Sequence, residues 1–231
     1  MRHDGWAPYG AAAGAAGVSL FLIGALVLGD RPAFDAPGAE VAAHFQDERT
    51  RIQVNCVLIA AAAPLLVWFL ATVASLAREA TPAAARAGAM AYGCGLAFLA
   101  VFLVDVTVLA AGALRPGNLA EEPGLATVLV DIEFLAMGMA APLAAAMLAA
   151  FAVLSLRDGA VWPRGLGRLA IAAALAYALR TGTLFTTDGP FAADGVLGLY
   201  VPVGAFVAWI FVASVVLARD LHLRRTSVAS D

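Results

Sequence analysis

The sequence contains no lysine; all 14 of its basic residues are arginine. Without a lysine amine, no Schiff base to retinal or to a pyridoxal cofactor can form. Histidine is scarce as well. His3, His44 and His222 all lie outside the apolar runs, so paired-histidine haem ligation inside a membrane is excluded. Only 13% of the 231 residues are charged, against roughly 25% in a soluble domain. The net charge of −3 gives no attraction to polyanions, and nucleic acid is not expected as a partner. The two cysteines, Cys56 and Cys94, form no Cys-x-x-Cys pair and read as buried thiols within apolar runs. The chain also lacks a Gly-x-Ser-x-Gly elbow, a His-Glu-x-x-His pair, a phosphate loop and a dinucleotide fingerprint. No cofactor is implied.

What the chain has in abundance is apolar surface. Hydrophobic residues make up 62% of it, with a mean hydropathy of +0.87. Six runs approach or exceed the roughly 20 apolar residues that a spanning helix needs. They are Ala11–Leu28, Ile52–Ala77, Ala87–Leu114, Leu125–Leu156, Leu169–Phe185 and Val196–Ala218. Spanning strands would be shorter and would alternate, so an all-α polytopic membrane bundle follows rather than a barrel. The first run ends in Asp30-Arg31-Pro32 without a small-residue cleavage site, and is expected to stay as a helix. Arginine counts set the orientation. With the N-terminus cytoplasmic, nine arginines fall on the inner side and four (Arg31, Arg49, Arg51 and Arg115) on the outer. The expectation is six transmembrane helices, both termini cytoplasmic, in a bacterial cytoplasmic membrane.

Residues 1–231 read as a single domain, since no linker is long enough to separate two. The longest connection, Gly29 to Arg51, should hold a short amphipathic helix over Glu40 to Thr50, started by Asp35-Ala36-Pro37 and buried through Val41, Ala42 and Phe45. The second, fourth and sixth runs each carry a proline, Pro64, Pro142 and Pro202, and each ends in Ser, Leu, Arg and an acid. The recurrence reads either as a threefold hairpin repeat or, the favoured reading, as alanine-rich composition with the inner-side arginine bias.

Ionisable groups inside a bilayer are costly and mark functional candidates. Four fall within the runs: Asp105, Asp131, Glu133 and Arg180. At a rise of about 1.5 Å per residue, Asp105 lies roughly 13 Å below the outer end of its span and Arg180 roughly 8 Å. Asn55 and Gln53 fall in the same outer half. Tyr177, Thr183 and Thr187 share the face of Arg180 by helical spacing. The ligand-binding set is therefore Asp105, Arg180, Glu133, Asn55, Tyr177 and Thr183. A buried arginine needs a carboxylate, and Asp105 is the first choice with Glu133 the second. Asp131 and Glu133 are two residues apart, so only one of them faces the bundle centre. Structural roles stand beside these: Arg180 snorkelling outward, or an ion pair that fixes helix register. In the outer loop Glu40, His44, Asp47 and Glu48 share a face that reads as solvated rather than metal-binding. Asp131-x-Glu133 lacks the further aspartates of membrane prenyltransferases, and Asp158-Gly159 lacks those of lipid-headgroup transferases.

Three stretches carry a resemblance. They are Leu28-Gly29-Asp30 with Ala39-Glu40-Val41-Ala42-Ala43-His44-Phe45, then Trp68-Phe69-Leu70, then Trp162-Pro163-Arg164-Gly165-Leu166-Gly167. Together they resemble uncharacterised multi-pass membrane proteins of high-GC actinobacteria. The resemblance implies location and architecture and carries no catalytic residue across. From the residues themselves, the expected function is binding or passage of a small cation or amphiphile through an outward-facing polar cavity. Two alternatives stay open. One is an embedded enzyme using Asp105 or Glu133 as a proton donor to an isoprenoid or lipid, in a pocket lined by Phe98, Phe102, Tyr177 and Tyr200. The other is an accessory subunit of a membrane complex. The lipid bilayer is the expected partner, and a small ligand, a second copy or another membrane protein stay open beside it.

Overall fold

The computed structural model describes residues 6–157, 162–186 and 189–228, with side chains as far as residue 223. Among the described residues eight α-helices form: α1 (Ala7–Leu28), α2 (Gly38–Asp47), α3 (Arg49–Ala80), α4 (Pro82–Leu114), α5 (Pro116–Glu121), α6 (Pro123–Leu156), α7 (Arg164–Arg180) and α8 (Val201–Val228). Among the described residues there is no strand. Proline sets many of the boundaries. Pro82, Pro116 and Pro123 each open a helix, where the missing N–H is not needed and the fixed φ fits. The Thr81 side chain adds a cap by accepting from Ala84 N at 3.1 Å.

Five helices are long and apolar enough to cross a membrane: α1, α3, α4, α6 and the stretch Val196–Leu223. The fifth apolar run behaves differently. Its α-helical part, α7, has 17 residues and then tightens into a 3₁₀ turn over Thr181–Phe185. Gly182 between two β-branched threonines is weak helix-forming sequence, which suits that tightening. The sixth run begins with a π-helical turn, Val196–Tyr200, before α8. Pro64 and Pro142 lie inside α3 and α6, whereas Pro202 falls in the first turn of α8.

The helices close into a ring. α1 packs on α3, α3 on α4, α4 on α6, α6 on α7, α7 on α8, and α8 returns to α1. A seam of glycines sets the first joint. Gly10, Gly14, Gly17 and Gly24 of α1 face Thr72, Phe69, Leu66 and Asn55 of α3, so the two helices run antiparallel at close range. The ring is filled at one end by Phe69, Phe151, Trp162 and Trp209. Phe151 stacks on Trp209 at 4.4 Å between centroids, and the Trp209 indole donates to Leu166 O at 3.0 Å.

The other end is covered by α2. Val41, Ala42 and Phe45 are buried as the sequence pattern requires, against Ile52 and Cys56 of α3, Val106 and Leu109 of α4, and Leu119 of α5. The start of α2 differs from expectation. Asp35 caps nothing; Pro37 holds the N-cap position and the helix begins at Gly38 without a side-chain cap. It stops at Asp47, and Thr50 belongs to α3 after a break at Glu48. Cys56 is buried, with its thiol 3.6 Å from Val106 O, while Cys94 is only half-buried.

The glycine seam leaves little room for a side chain. A Cβ on Gly14 would meet the Ser214 hydroxyl and come 2.8 Å from the Phe69 ring, whereas one on Gly93 would meet nothing within 4 Å. Gly14→Val should therefore destabilise the folded protein by about 1–3 kcal/mol through overpacking. Unfolding in detergent, compared with the control Gly93→Val, checks this; equal midpoints for the two variants would contradict the close seam.

Candidate functional site

The site is assembled by the chain that leaves α1. Gly29 adopts φ +71°, a conformation costly for residues with a Cβ, and turns the backbone sharply at the helix end. Asp30-Arg31-Pro32 then folds back over the ring instead of running out into solvent. Arg31 lands on Glu133 of α6. Its Nη1 and Nη2 donate to Oε1 and Oε2, both at 2.6 Å, in a two-pronged ion pair. The guanidinium carbon also sits 5.7 Å from the centre of the Phe134 ring. Phe34 secures the same loop. Its ring meets Phe134 edge-on at 4.9 Å, and its backbone N–H donates to Asp194 Oδ2 at 3.1 Å.

This arrangement redirects the expected pairing. Asp105 and Arg180 are both buried, at 6% and 4% exposure, yet they form no ion pair with each other. Asp105 feels the charges of Glu133, Arg31 and Arg180. Asp105 Oδ1 and the Nε and Nη1 of Arg180 have no protein hydrogen-bond partner. The second-choice acid, Glu133, is indeed the one that pairs, but with a loop arginine that the sequence reading had counted only toward topology. The reason is geometric. A guanidinium on a short turned loop can meet both carboxylate oxygens at once, whereas Arg180 is fixed on α7 beside Tyr177. Of the two neighbouring acids, Glu133 faces inward and Asp131 is half-exposed.

The remaining candidates divide. Tyr177 is fully interior, at 2% exposure, one turn before Arg180. Asn55 is also buried at 2% but turns toward Gly24 of α1, and its Oδ1 has no partner. Thr183 is half-buried in the 3₁₀ turn, beside Gly138 of α6 and Gly198. Gln53 is half-buried; Thr187 lies outside the described residues. Arg31, Phe34, Phe134 and Asp194 were not picked out from sequence. Their one signal was a lone basic residue set between a helix-ending glycine and a proline.

Beneath the polar groups lies an aromatic floor. Phe98 meets Tyr177 at 6.0 Å and Phe206 at 5.6 Å, Phe102 stacks parallel to Phe98 at 6.3 Å, and Phe21 joins Phe102 at 5.9 Å. These rings fill the space between them. The adjoining internal void measures about 10 Å³, at the lower limit for a single water. Tyr200, expected to line a substrate pocket with them, is 66% exposed and stands apart. The polar centre is thus enclosed between aromatic rings below and the Arg31 loop above. Among the described residues no cluster of three or more His, Cys, Asp or Glu is placed to hold a metal ion.

Electrostatics around the loop follow from this closure. Burial works against the charge on Arg31, but Glu133, by charge and by hydrogen bond, outweighs it and holds the guanidinium above its ordinary value. His44 on α2 is half-buried and is pushed below the usual imidazole value, first by burial and then by the charge of Arg31. A lowered value means that the fold favours neutral His44. Its contribution to stability is present above the unfolded value near 6.5 and is lost as pH falls through the lower folded value.

Two outcomes are expected. Arg31→Ala and Glu133→Ala should each cost about 2 kcal/mol, and the double variant much less than the sum, because each single change strands a charge. Additive losses in unfolding experiments would mean that the pair contributes nothing. Arg31→Gln should also move His44 back toward its ordinary value and narrow its acid-sensitive window, as followed by unfolding midpoints between about pH 5 and 7.

No family model matches this chain, and no curated protein and no solved structure matches it.

Proposed function

We propose that the chain is a six-span protein of a bacterial cytoplasmic membrane, related to the actinobacterial multi-pass proteins it resembles, which binds a small cation or cationic amphiphile reaching its polar centre from the outer face. Five helices of spanning length support the membrane placement. For the sixth span, α7 and its 3₁₀ extension together supply about 35 Å of rise, and the ring is complete only with α7 in it. The arginine distribution supports the orientation: Arg78, Arg86, Arg157, Arg164, Arg168 and Arg219 lie toward one end, with α2 and Arg31 at the other.

One observation carries the functional reading. Two carboxyl groups are buried together beneath a guanidinium delivered by a loop. A fixed protein cation over an acidic centre occupies the place where a mobile cation would sit, and a loop is the element that can withdraw it. In this reading Asp105 is the deeper cation acceptor. Glu133 and Arg31 form the latch that closes over it, and passage across the membrane would require the aromatic floor to part.

Asp105→Asn tests the reading. Alkali ions and ammonium-bearing solutes, titrated calorimetrically into the detergent-purified protein, should include binders that the variant holds roughly tenfold or more weakly. Equal affinity in both proteins, or no binder at all, would refute it. Orientation is checked separately in a background lacking Cys56 and Cys94. A membrane-impermeant maleimide should label Gly117→Cys in intact cells and Ala83→Cys only after lysis; the reverse pattern would invert the bundle.

A further inference from the structure

The four charges of the polar centre divide unevenly. Arg31 and Glu133 satisfy each other, with two short hydrogen bonds between them. Arg180 and Asp105 do not. Arg180 keeps Nε and Nη1 free of any protein acceptor, and Asp105 keeps Oδ1 free of any protein donor, with both side chains more than nine-tenths buried. Buried polar atoms in folded proteins are nearly always partnered, and a charged one without a partner is among the most costly features a fold can carry. Here the free donors and the free acceptor belong to opposite charges on different helices facing one interior.

Their spacing follows from the aromatic floor. Phe98 of α4 and Tyr177 of α7 touch, and so mark a common level. Asp105 is seven residues further along α4 and Arg180 three further along α7, which run in the same direction. The rise per residue puts them about 10 Å and about 5 Å above that level. Their backbone positions are therefore staggered by about 5 Å along the bundle axis, and the two charged groups form no ion pair.

Charge balance narrows the occupant. The centre holds two arginines and two acids and is formally neutral. A simple monovalent cation added beneath a closed Arg31 latch would leave one buried charge uncompensated. A species carrying both signs adds none, so Arg31 can return to Glu133 once the loop has withdrawn to admit it and the side chains around it have made room. We propose that the ligand of this site is a zwitterion, an ammonium joined to a carboxylate or phosphate, its cation on Asp105 and its anion on one of the free N–H groups of the Arg180 guanidinium. This rests on the cation-binding reading above and assigns Arg180 a recognition role. Tyr177, beside Arg180, would orient the guanidinium, and the Phe98 and Phe102 rings below would receive the alkyl groups of the ammonium.

The test uses a matched set of probes on the full-length protein in detergent. Glycine betaine carries both charges, choline only the cation, and 3,3-dimethylbutyrate only the anion on the same skeleton. O-phosphoethanolamine and short-chain phosphatidylethanolamine extend the set, one as a free solute and one as a lipid headgroup. Titration calorimetry should show at least one zwitterion binding roughly tenfold or more tightly than both single-charge analogues. Asp105→Asn and Arg180→Gln should each abolish that preference. Arg180→Lys, which keeps the charge but not the fork, should weaken binding while leaving elution and thermal unfolding near those of the unsubstituted protein. Binding of phosphatidylethanolamine without O-phosphoethanolamine would locate the source in the bilayer, and the reverse in solution.

The failures are distinguishable. Choline bound as tightly as betaine, with no effect of Arg180→Gln, would overturn the zwitterion and leave the cation site standing. Betaine binding lost in Arg180→Gln but kept in Asp105→Asn would overturn both, because the site would then be one for anions. No binding by any probe would overturn both as well.

Discussion

The fork between Arg31 and Glu133 is the interaction on which the α2 half of the structure depends. It converts a nine-residue connection into a cover, because one end is fixed by the α1 glycine turn and the middle by two charge-assisted hydrogen bonds. Phe34 extends the same anchorage to Phe134 and Asp194, so the cover touches α6 and the segment before α8 together. Water is thereby kept from Asp105 and Arg180, and in a water-poor interior their charges act on one another over longer distances than at a surface.

The two halves of the bundle meet different demands. At the end away from α2, Phe151, Trp162 and Trp209 pack ring on ring, and the buried polar groups there are uncharged. That half resists opening. The half beneath α2 is built from helix ends, a short helix and loops, with a charged interior. The charged interior and its cover are thus confined to the α2 half, whereas the opposite half is packed ring on ring.

Much of this was legible from composition and periodicity. Six apolar runs became the six helices of the ring, and Val41, Ala42 and Phe45 marked the buried face of α2. The depth argument grouped Asp105, Glu133 and Arg180, which are all buried, together with Asn55, which turns toward α1; helical spacing added Tyr177, and the two-residue offset separated Glu133 from Asp131. The partner of Glu133 was not legible. A helical residue's neighbours follow from a fixed rise and turn, whereas a loop residue such as Arg31 is placed by one φ angle at Gly29 and by contacts some hundred or more residues away. Asp35 misled for a related reason. An Asp-x-Pro sequence fits a capped helix start and a free turn equally well, and the lid geometry selected the turn. The fifth run deceived by hydropathy alone, which does not distinguish an α-helix from one that winds tighter over Thr181–Phe185.

The closure of the ring has a consequence for biogenesis. Because α1 rests on α8 as well as on α3, it lacks one neighbour until α8 has been made and inserted. The Phe34–Asp194 bond joins positions 160 residues apart. The Arg31–Glu133 fork can form once α6 is made, but the Phe34 anchorage and the contacts of α8 cannot, so the cover is completed only late in synthesis. A chain truncated before Asp194 would hold its cover by the fork alone.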